Sequence, residues 1–395
     1  MKILKIMLAI LLFVCIEGCS NDNSPEIPSK EGIELNVRQK EIRNQGNTFA
    51  NRLMMQLSSC NENVIVSPFN LQSTISLLTH GADETTCNEI LTTMGWKEYS
   101  LLELAEYHRK ISVGLKENDD FISYWATTSL WLQMGLNISE LALNQMERNY
   151  FSSYNITDFS NLENVNNDLT FWLYSVSKGR IQQLQIPLHE SMSTGLIDLC
   201  YFNGIWKLPF NTLDNEQQIF IDETGNTNEI TMMCNHSDFP YFENENYQLV
   251  EIPYGNDNFS MLILLPRENQ NINDILDNFL WYDTLMNITS VDLKLPKMNI
   301  EHNQSLKEAL ESLGMKKLFK ENSLSGIIEN GNAELSFIHQ AISFDVNEGE
   351  SNLAKITKTT LVDKKAAMTV NRPFVFAIRE NSSGILLIMG KIASI

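Results

Sequence analysis

The side chains with the clearest chemical use in this 395-residue sequence are four lysines, Lys355, Lys358, Lys364 and Lys365, in the stretch 346–373, VNEGESNLAKITKTTLVDKKAAMTVNRP. Lysine in an exposed loop is a cleavage point for proteases whose specificity pocket carries a carboxylate, so the chemistry on offer is that of a substrate. From Ile356 to Val362 the same stretch is rich in Thr, Ile, Val and Leu, which favour a pleated strand. The alternating residues before it, from Leu335 to Val346, and the apolar run Phe374–Ile378 after it read as strands. The residues between have no helical period, and a structureless connection beyond ~12–15 residues in a compact protein is usually a linker or a functional loop. Strand-forming residues make a poor linker. The stretch therefore reads as protease bait built from latent strand.

Side chains for catalysis are not assembled in the sequence. Ser175-Val176-Ser177-Lys178 fits the S-x-x-K pattern of penicillin-binding enzymes, yet no S-D-N or K-T-G accompanies it, and Ser177 and Lys178 read better as a helix end before Gly179. G-x-S-x-G, H-E-x-x-H and a Walker loop are missing. The six histidines, His80, His108, His189, His236, His302 and His339, are scattered. Cys60, Cys87, Cys200 and Cys234 form no C-x-x-C, so neither a metal site nor a cofactor is expected. Cys200 reads as a small core residue, and whether Cys60 and Cys87 pair is left open.

Charge and the N-terminus set the context. With 29 Lys and Arg against 49 Asp and Glu, the net charge of −20 repels nucleic-acid phosphates. Lys2 and Lys5 followed by an apolar core from Ile6 to Ile16 make an export signal too short to span a membrane. Gly18 before Cys19 resembles the cleavage box of bacterial lipoproteins, in which the cysteine becomes the lipidated first residue; Glu17 is unusual there. Residues 1–19 are thus expected to be a signal and 20–34 a flexible tether, with Pro25 and Pro28 and few apolar side chains in its first part. Asp22 hints at display on the outer surface of the cell envelope.

The elements that must present the bait follow from periodicity. Helices are expected over 35–59, 70–81, 83–95, 99–116, 144–150, 165–177 and 305–313, with Asp83 as N-cap and Gly95 as stop. Strands are expected at 63–69, 124–134, 194–210 and 291–300, and a hairpin over 248–266. Helices crowd the first half and strands the second, which predicts large antiparallel sheets with helices packed on one side.

Against that frame several motifs carry a family resemblance. Tyr201 to Phe210, YFNGIWKLPF, resembles the Y-F-x-G-x-W-x-x-x-F signature of serpins, and VEIPYGNDNFSMLILLP over 250–266 is similar to their hairpin, with Met232 and Met233 upstream. Val66-Ser67-Pro68, Leu295-Pro296-Lys297, Leu313-Gly314-Met315, Leu324-Ser325-Gly326, Val346-Asn347-Glu348 and Arg372-Pro373-Phe374 follow in the family's order. The resemblance implies an α+β serpin-like domain over 35–395: three mostly antiparallel sheets, eight or nine helices and an exposed reactive-centre loop over about 348–371. It also implies a suicide-substrate inhibitor of extracellular serine proteases, extending to cysteine proteases, whose cleaved loop enters the central sheet and traps the acyl-enzyme.

Residue roles carry over by position. Counting from Glu348 places the scissile bond at Lys364–Lys365; alignment on Gly349 moves it to Asp363–Lys364, and Lys358–Thr359 is a second bait. The hinge is Glu348, Gly349, Glu350 and Ser351, and the polar cluster where the sheet opens is Ser67, Asn70, Asp198 and His339. An Asp198–His339 ion pair would make insertion pH-dependent, against the plainer reading of a satisfied core histidine. One strand register turns Ser351, Leu353, Lys355, Thr357 and Leu361 inward, the other Asn352, Ala354, Ile356, Lys358 and Val362, so either brings in a lysine. That unusual hinge supports the competing reading, a non-inhibitory binding or scaffold protein whose loop is cut without inserting. The expected partners are trypsin-like proteases, extending to other classes. Nucleic acid is not among them, the membrane is reached only through the lipid, and the protein acts as a monomer. Asn88 to Asp120 carries only Lys97, Arg109, Lys110 and Lys116 as bases among many acids, so no sulfated polysaccharide cofactor is expected.

Overall fold

The computed structural model describes residues 32–58, 61–117, 120–277, 279–282, 284–329, 334–349 and 366–395. The chain begins with helix α1 (Val37–Leu57), strand β1 (Val64–Val66), and helices α2 (Pro68–Thr79), α3 (Glu84–Met94) and α4 (Leu101–Glu117). Strands β2 (Ile122–Gln133) and β3 (Asn137–Ile138), helix α5 (Glu140–Tyr150), strand β4 (Ser153–Thr157), helix α6 (Leu162–Ser177) and strand β5 (Thr194–Gly204) follow. The next segment is β-rich: β6 (Glu216–Ile221), β7 (Thr227–Glu243), β8 (Tyr247–Tyr254), β9 (Phe259–Pro266), the short helix α7 (Ile272–Leu276), β10 (Asn287–Pro296) and β11 (Met298–Ser305). Helix α8 (Lys307–Leu313), β12 (Ile328–Glu329), β13 (Phe337–Val346), β14 (Ala366–Thr369), β15 (Phe374–Glu380) and β16 (Ile385–Ile392) complete it.

Local chemistry explains the helix ends. Asn36 and Gln39 exchange side-chain-to-backbone hydrogen bonds of 2.9 and 3.2 Å, a capping box opening α1. Asp83 accepts from the backbone N–H groups of Thr85 and Thr86 to start α3, which stops at Gly95 with φ of 73°. The S-x-x-K serines serve the end of α6: Ser175 and Ser177 donate their hydroxyls to the carbonyls of Trp172 and Ile181.

Three sheets result. The five-stranded sheet has the order β11-β13-β5-β2-β4; a nine-stranded sheet runs β1-β16-β15-β9-β8-β7-β10-β14, with β6 on β7; β12 and β3 form a pair. Pairing is antiparallel except for β13 with β5, β2 with β4 and β10 with β14. The main core lies between the two large sheets and under α1 and α2. A second cluster, Val165, Leu169, Trp172 and Leu173 of α6 against Trp131, Ile197, Leu199, Phe337 and Ala341, covers the opposite face of the five-stranded sheet. Helices therefore flank that sheet on both faces rather than one.

Three expectations are corrected here. The strand expected over 194–210 stops at Gly204, because the chain leaves the ladder to stack the Trp206 indole on Tyr254, with ring centroids 4.2 Å apart and planes 13° apart. The segment 291–300 is two strands in different sheets, since Lys297 still donates its N–H to Thr231 while Met298 already pairs with Val346. Ile33 is buried in the main core beside Leu35, so packing begins at the last residues of the segment expected to be a tether.

His108 of α4 is fully buried among Phe69, Trp96, Tyr107 and Tyr150, with ring centroids 5.0–6.1 Å away, and neither ring nitrogen has a hydrogen-bond partner. Burial pushes its pKa down to about 3. The unfolded chain takes up this proton below pH ~6.5 while the fold refuses it, so stability falls as pH drops through that window, by ~1.4 kcal/mol per pH unit. Denaturant unfolding at pH 7, 5.5 and 4 should show this loss in the wild type and a shallower one in His108→Phe; parallel profiles would remove His108 as the cause.

Candidate functional site

The site is the junction of β5 and β13. These two strands lie side by side and parallel, from Phe337 against Gly195 to Phe344 against Phe202, while their outer neighbours β2 and β11 run antiparallel to them. Parallel pairs are slightly less stable per residue, and one strand running the other way would fit between these two with antiparallel ladders on both sides. Beyond Val346 the chain leaves this sheet, and Ala366, the first residue of β14, pairs with Val291 in the other large sheet. The bait bonds Lys364–Lys365 and Lys358–Thr359, and hinge residues Glu350 and Ser351, lie outside the described residues.

The described half of the hinge is held by side chains from three directions. Trp206 donates its indole N–H to the Asn347 carbonyl at 2.6 Å. The Glu348 carboxylate accepts from Asn215 at 2.6 Å and from Lys297 at 2.8 Å. Burial works against that charge, but the two hydrogen bonds outweigh it and hold the carboxyl below its usual range. Gly349 has φ of 77°, a left-handed conformation that any residue with a Cβ adopts only under strain, and its N–H returns to the Asn347 side chain at 2.9 Å. A local turn thus follows the end of β13.

Beneath the β5–β13 junction, Ser67, Asn70 and Thr74 line one face of the N-terminal half of α2, at the three- and four-residue spacing a helix requires. Ser67 donates its N–H to the Gln340 side chain at 2.7 Å and its hydroxyl to the Leu387 carbonyl at 2.7 Å, and its own carbonyl accepts from Gln340 at 3.2 Å. Asn70 donates to the Leu199 carbonyl of β5 at 3.4 Å. Asp198 Oδ1 accepts the hydroxyls of Thr74 at 2.7 Å and Thr128 at 2.8 Å. Its buried Oδ2 makes no hydrogen bond of ordinary length and angle, although the Gln340 side chain is close enough to favour the charged carboxylate.

Three of the four residues expected in this cluster are therefore present, and His339 is not. In the register, His339 stands opposite Ile197 and Gln340 opposite Asp198. Because side chains alternate, His339 faces α6, where it bonds Asn303, and Gln340 faces α2. No Asp198–His339 ion pair forms. Burial, reinforced by nearby His302, lowers the His339 pKa to about 4, so it is neutral at pH 7. The signal for Gln340 was in the sequence: Ile338, Ile342, Phe344 and Val346 form the core-facing alternation, and Gln340 is its one polar member. Thr74 and Thr128 gave no such signal, since their role depends on a contact between distant elements. Cys87, Cys200 and Cys234 are free thiols, Cys200 being fully buried as expected; Cys60 lies outside the described residues.

Comparison with known proteins agrees with this geometry. Residues 44–395 match the family model described as Serpin (serine protease inhibitor). An uncharacterized serpin-like protein of Thermococcus kodakarensis is 26% identical, over 98% of this chain and 97% of its own length. Intracellular coagulation inhibitor 1 of Tachypleus tridentatus is 28% identical, over 90% of this chain and 89% of its own. The crystal structure of mouse protein-Z dependent protease inhibitor shares the fold with a TM-score of 0.82 at 20% identity, covering 90% of this chain and 98% of that one.

Burial pushes the Asp198 pKa up to about 7, against the opposing hydrogen bonds of Thr74, Thr128 and Gln340. The fold keeps the proton that the unfolded chain loses near pH 4, so stability falls as pH rises from about 4 to 7 and then levels, opposite in sign to His108. Asp198→Asn should remove this slope, and its stability advantage over wild type in denaturant unfolding should be larger at pH 8 than at pH 5. An advantage independent of pH would mean that Asp198 does not titrate in this range.

Proposed function

The chain belongs to the serpin family, and on that premise we propose that it is a suicide-substrate inhibitor of extracellular serine proteases, trypsin-like above all, with cysteine proteases as further targets. Family and fold support a protease-inhibitor role rather than a catalytic one. The observation that carries the finer reading is the parallel β5–β13 pair, with the chain leaving it beside a left-handed glycine.

The protease serine attacks the carbonyl of a bait lysine, forming an ester; the peptide C–N bond breaks, and the amine of the next residue leaves with a proton from the catalytic histidine. The freed loop then enters between β5 and β13. About a dozen new ladder bonds at ~0.5–1.5 kcal/mol each, plus buried side chains, amount to on the order of ten kcal/mol. Hydrolysis of the ester needs the oxyanion hole and histidine in register, so pulling the acylated serine out of place leaves the ester intact.

Both Lys364–Lys365 and Lys358–Thr359 remain bait bonds in this proposal. Ala366 is already laddered to Val291, so a cut after Lys364 leaves only Lys365 between the bond and a paired strand, whereas a cut after Lys358 leaves residues 359–365. That spacing favours Lys358–Thr359 for a protease that must hold several residues on each side. The competing reading, a binding or scaffold protein cut without insertion, rests on the lysine that either strand register brings into the sheet.

We also infer export and lipid attachment at Cys19, which lies outside the described residues, with the protein monomeric on the cell envelope and facing outward. Metabolic labelling with a radioactive fatty acid should mark the wild type and not Cys19→Ala; equal labelling would place the lipid elsewhere or reduce it to background.

Incubation with trypsin should give a complex stable to boiling in detergent and a released C-terminal fragment beginning at Thr359 or Lys365, as read by mass spectrometry. The uncomplexed nicked protein should melt far above the intact one. No complex, scattered cuts and a lowered melting temperature would instead establish the scaffold reading.

A further inference from the structure

Side chains do not tie β5 to β13 equally along their length. At the end remote from Gly349, the ring of Phe337 occupies the place of a Gly195 side chain: a Cβ on Gly195 would fall 1.9 Å from the Phe337 Cζ. The two residues are direct partners across the parallel pair, and Trp131 of β2 stands opposite Gly195 on its other side. Phe337 and Trp131 both belong to the cluster under α6. Phe159 meets the Phe337 ring edge-on with centroids 6.4 Å apart, and Trp172 of α6 meets Trp131 in the same way at 5.7 Å. Gly195 is therefore required for space: its missing side chain is the seat of a ring from the neighbouring strand.

Polar straps reinforce the same end. Ser336 donates its N–H to the Thr194 carbonyl at 2.9 Å, Ser193 donates its N–H to the Ser336 hydroxyl at 3.2 Å, and the Thr194 hydroxyl donates to the Glu334 carbonyl. Towards the hinge, the α6 face of β13 shrinks from Phe337 through His339 to Ala341 and Ser343. On the other face Phe202 and Phe344 are partners in register, yet each lies against a ring of the nine-stranded sheet, Phe202 on Tyr254 at 5.2 Å and Phe344 on Phe376 at 5.1 Å. At the remote end, then, side chains bind one strand to the other; at the hinge end they bind each strand to something else.

We infer that Phe337, seated on Gly195, is a positioning residue that clasps β5 to β13 at the remote end, so that the pair parts from the hinge end and the clasp is the last contact to yield. Paired strands lie ~4.8 Å apart, and a strand placed between them roughly doubles that spacing, which takes the ring off Gly195. The clasp stands on contacts between described residues. Its bearing on inhibition rests on the insertion proposed above, in which it keeps the far half of the junction closed until the hinge half has filled.

The test is amide hydrogen exchange on the intact full chain, in wild type, Phe337→Leu, Gly195→Ala and the double variant. Leucine keeps apolar bulk without the ring, and the alanine methyl fills the seat. In wild type, amides of 194–198 and 337–340 should exchange at least about tenfold more slowly than those of 200–203 and 342–346. Either single variant should abolish that difference by speeding the remote end, with β15 and β16 unchanged. The double variant should be no faster than the faster single, because the shorter leucine leaves room for the methyl. Equal protection of the two ends in wild type, or a remote end equally slow in all four proteins, overturns the clasp. Acceleration shared by β15 and β16 overturns it as well, since Phe337 would then only support the fold at large. Incubated with trypsin, the single variants should trap a larger fraction of protease per cut loop than wild type, and an unchanged fraction would overturn the bearing on inhibition. A wild type that traps no protease would remove insertion and leave the exchange gradient standing.

Discussion

Hydrogen-bond direction is the constraint on which the rest of this molecule depends. β5 and β13 are parallel neighbours flanked by antiparallel partners, so a strand of opposite sense between them would make antiparallel ladders on both sides. A parallel ladder contributes somewhat less per residue than an antiparallel one, and replacing one parallel ladder by two antiparallel ladders lowers the energy of the sheet. The chain that could supply the strand leaves from the end of β13 itself. In the proposed mechanism, this topology offers a second, lower minimum that the chain reaches only after the bait is cut.

Polar chemistry at two places ties down the end of β13 and its junction with β5. At the end of β13, Trp206, Asn215 and Lys297 hold Asn347 and Glu348, so the chain cannot begin to fold back without giving up hydrogen bonds to a partly buried carboxylate. Under the middle of the junction, Gln340 holds both backbone groups of Ser67 while Asp198 gathers Thr74 and Thr128. These bonds tie α2 to β5, β2 and β13 at once, so the strands cannot separate without disturbing the helix. In the proposed mechanism the side chains that must let go are polar, and their hydrogen bonds can be exchanged with water as the strands part.

Much of this architecture was legible in the residues, and the failures have local causes. Caps at Asp83 and Gly95, the 248–266 hairpin and the apolar faces of the helices depend on neighbours in sequence, and the structure agrees with them. The end of β5 was not legible, because whether Trp206 continues a strand or turns to stack on Tyr254 is decided by a contact between separate strands. The break at Lys297 between β10 and β11 was hidden for the same reason: both sides of it are strand. His339 illustrates a different error. Histidine drew attention by its chemistry, whereas the period of two assigns the α2 face to Gln340. The motifs of the 201–210 segment were informative about family because they mark this departure point, where Trp206 serves both the stack and the hinge.

The central claim is that a nicked loop finds its place inside the five-stranded sheet, and backbone amide hydrogen exchange of the intact and nicked protein tests it most directly. The account predicts that amides from Ser351 to the cut exchange rapidly in the intact protein. After nicking they should become protected to the level of β5 and β13, with the flanking strands more protected than before. Rapid exchange across that segment in both forms, with unchanged protection of β5 and β13, would contradict it.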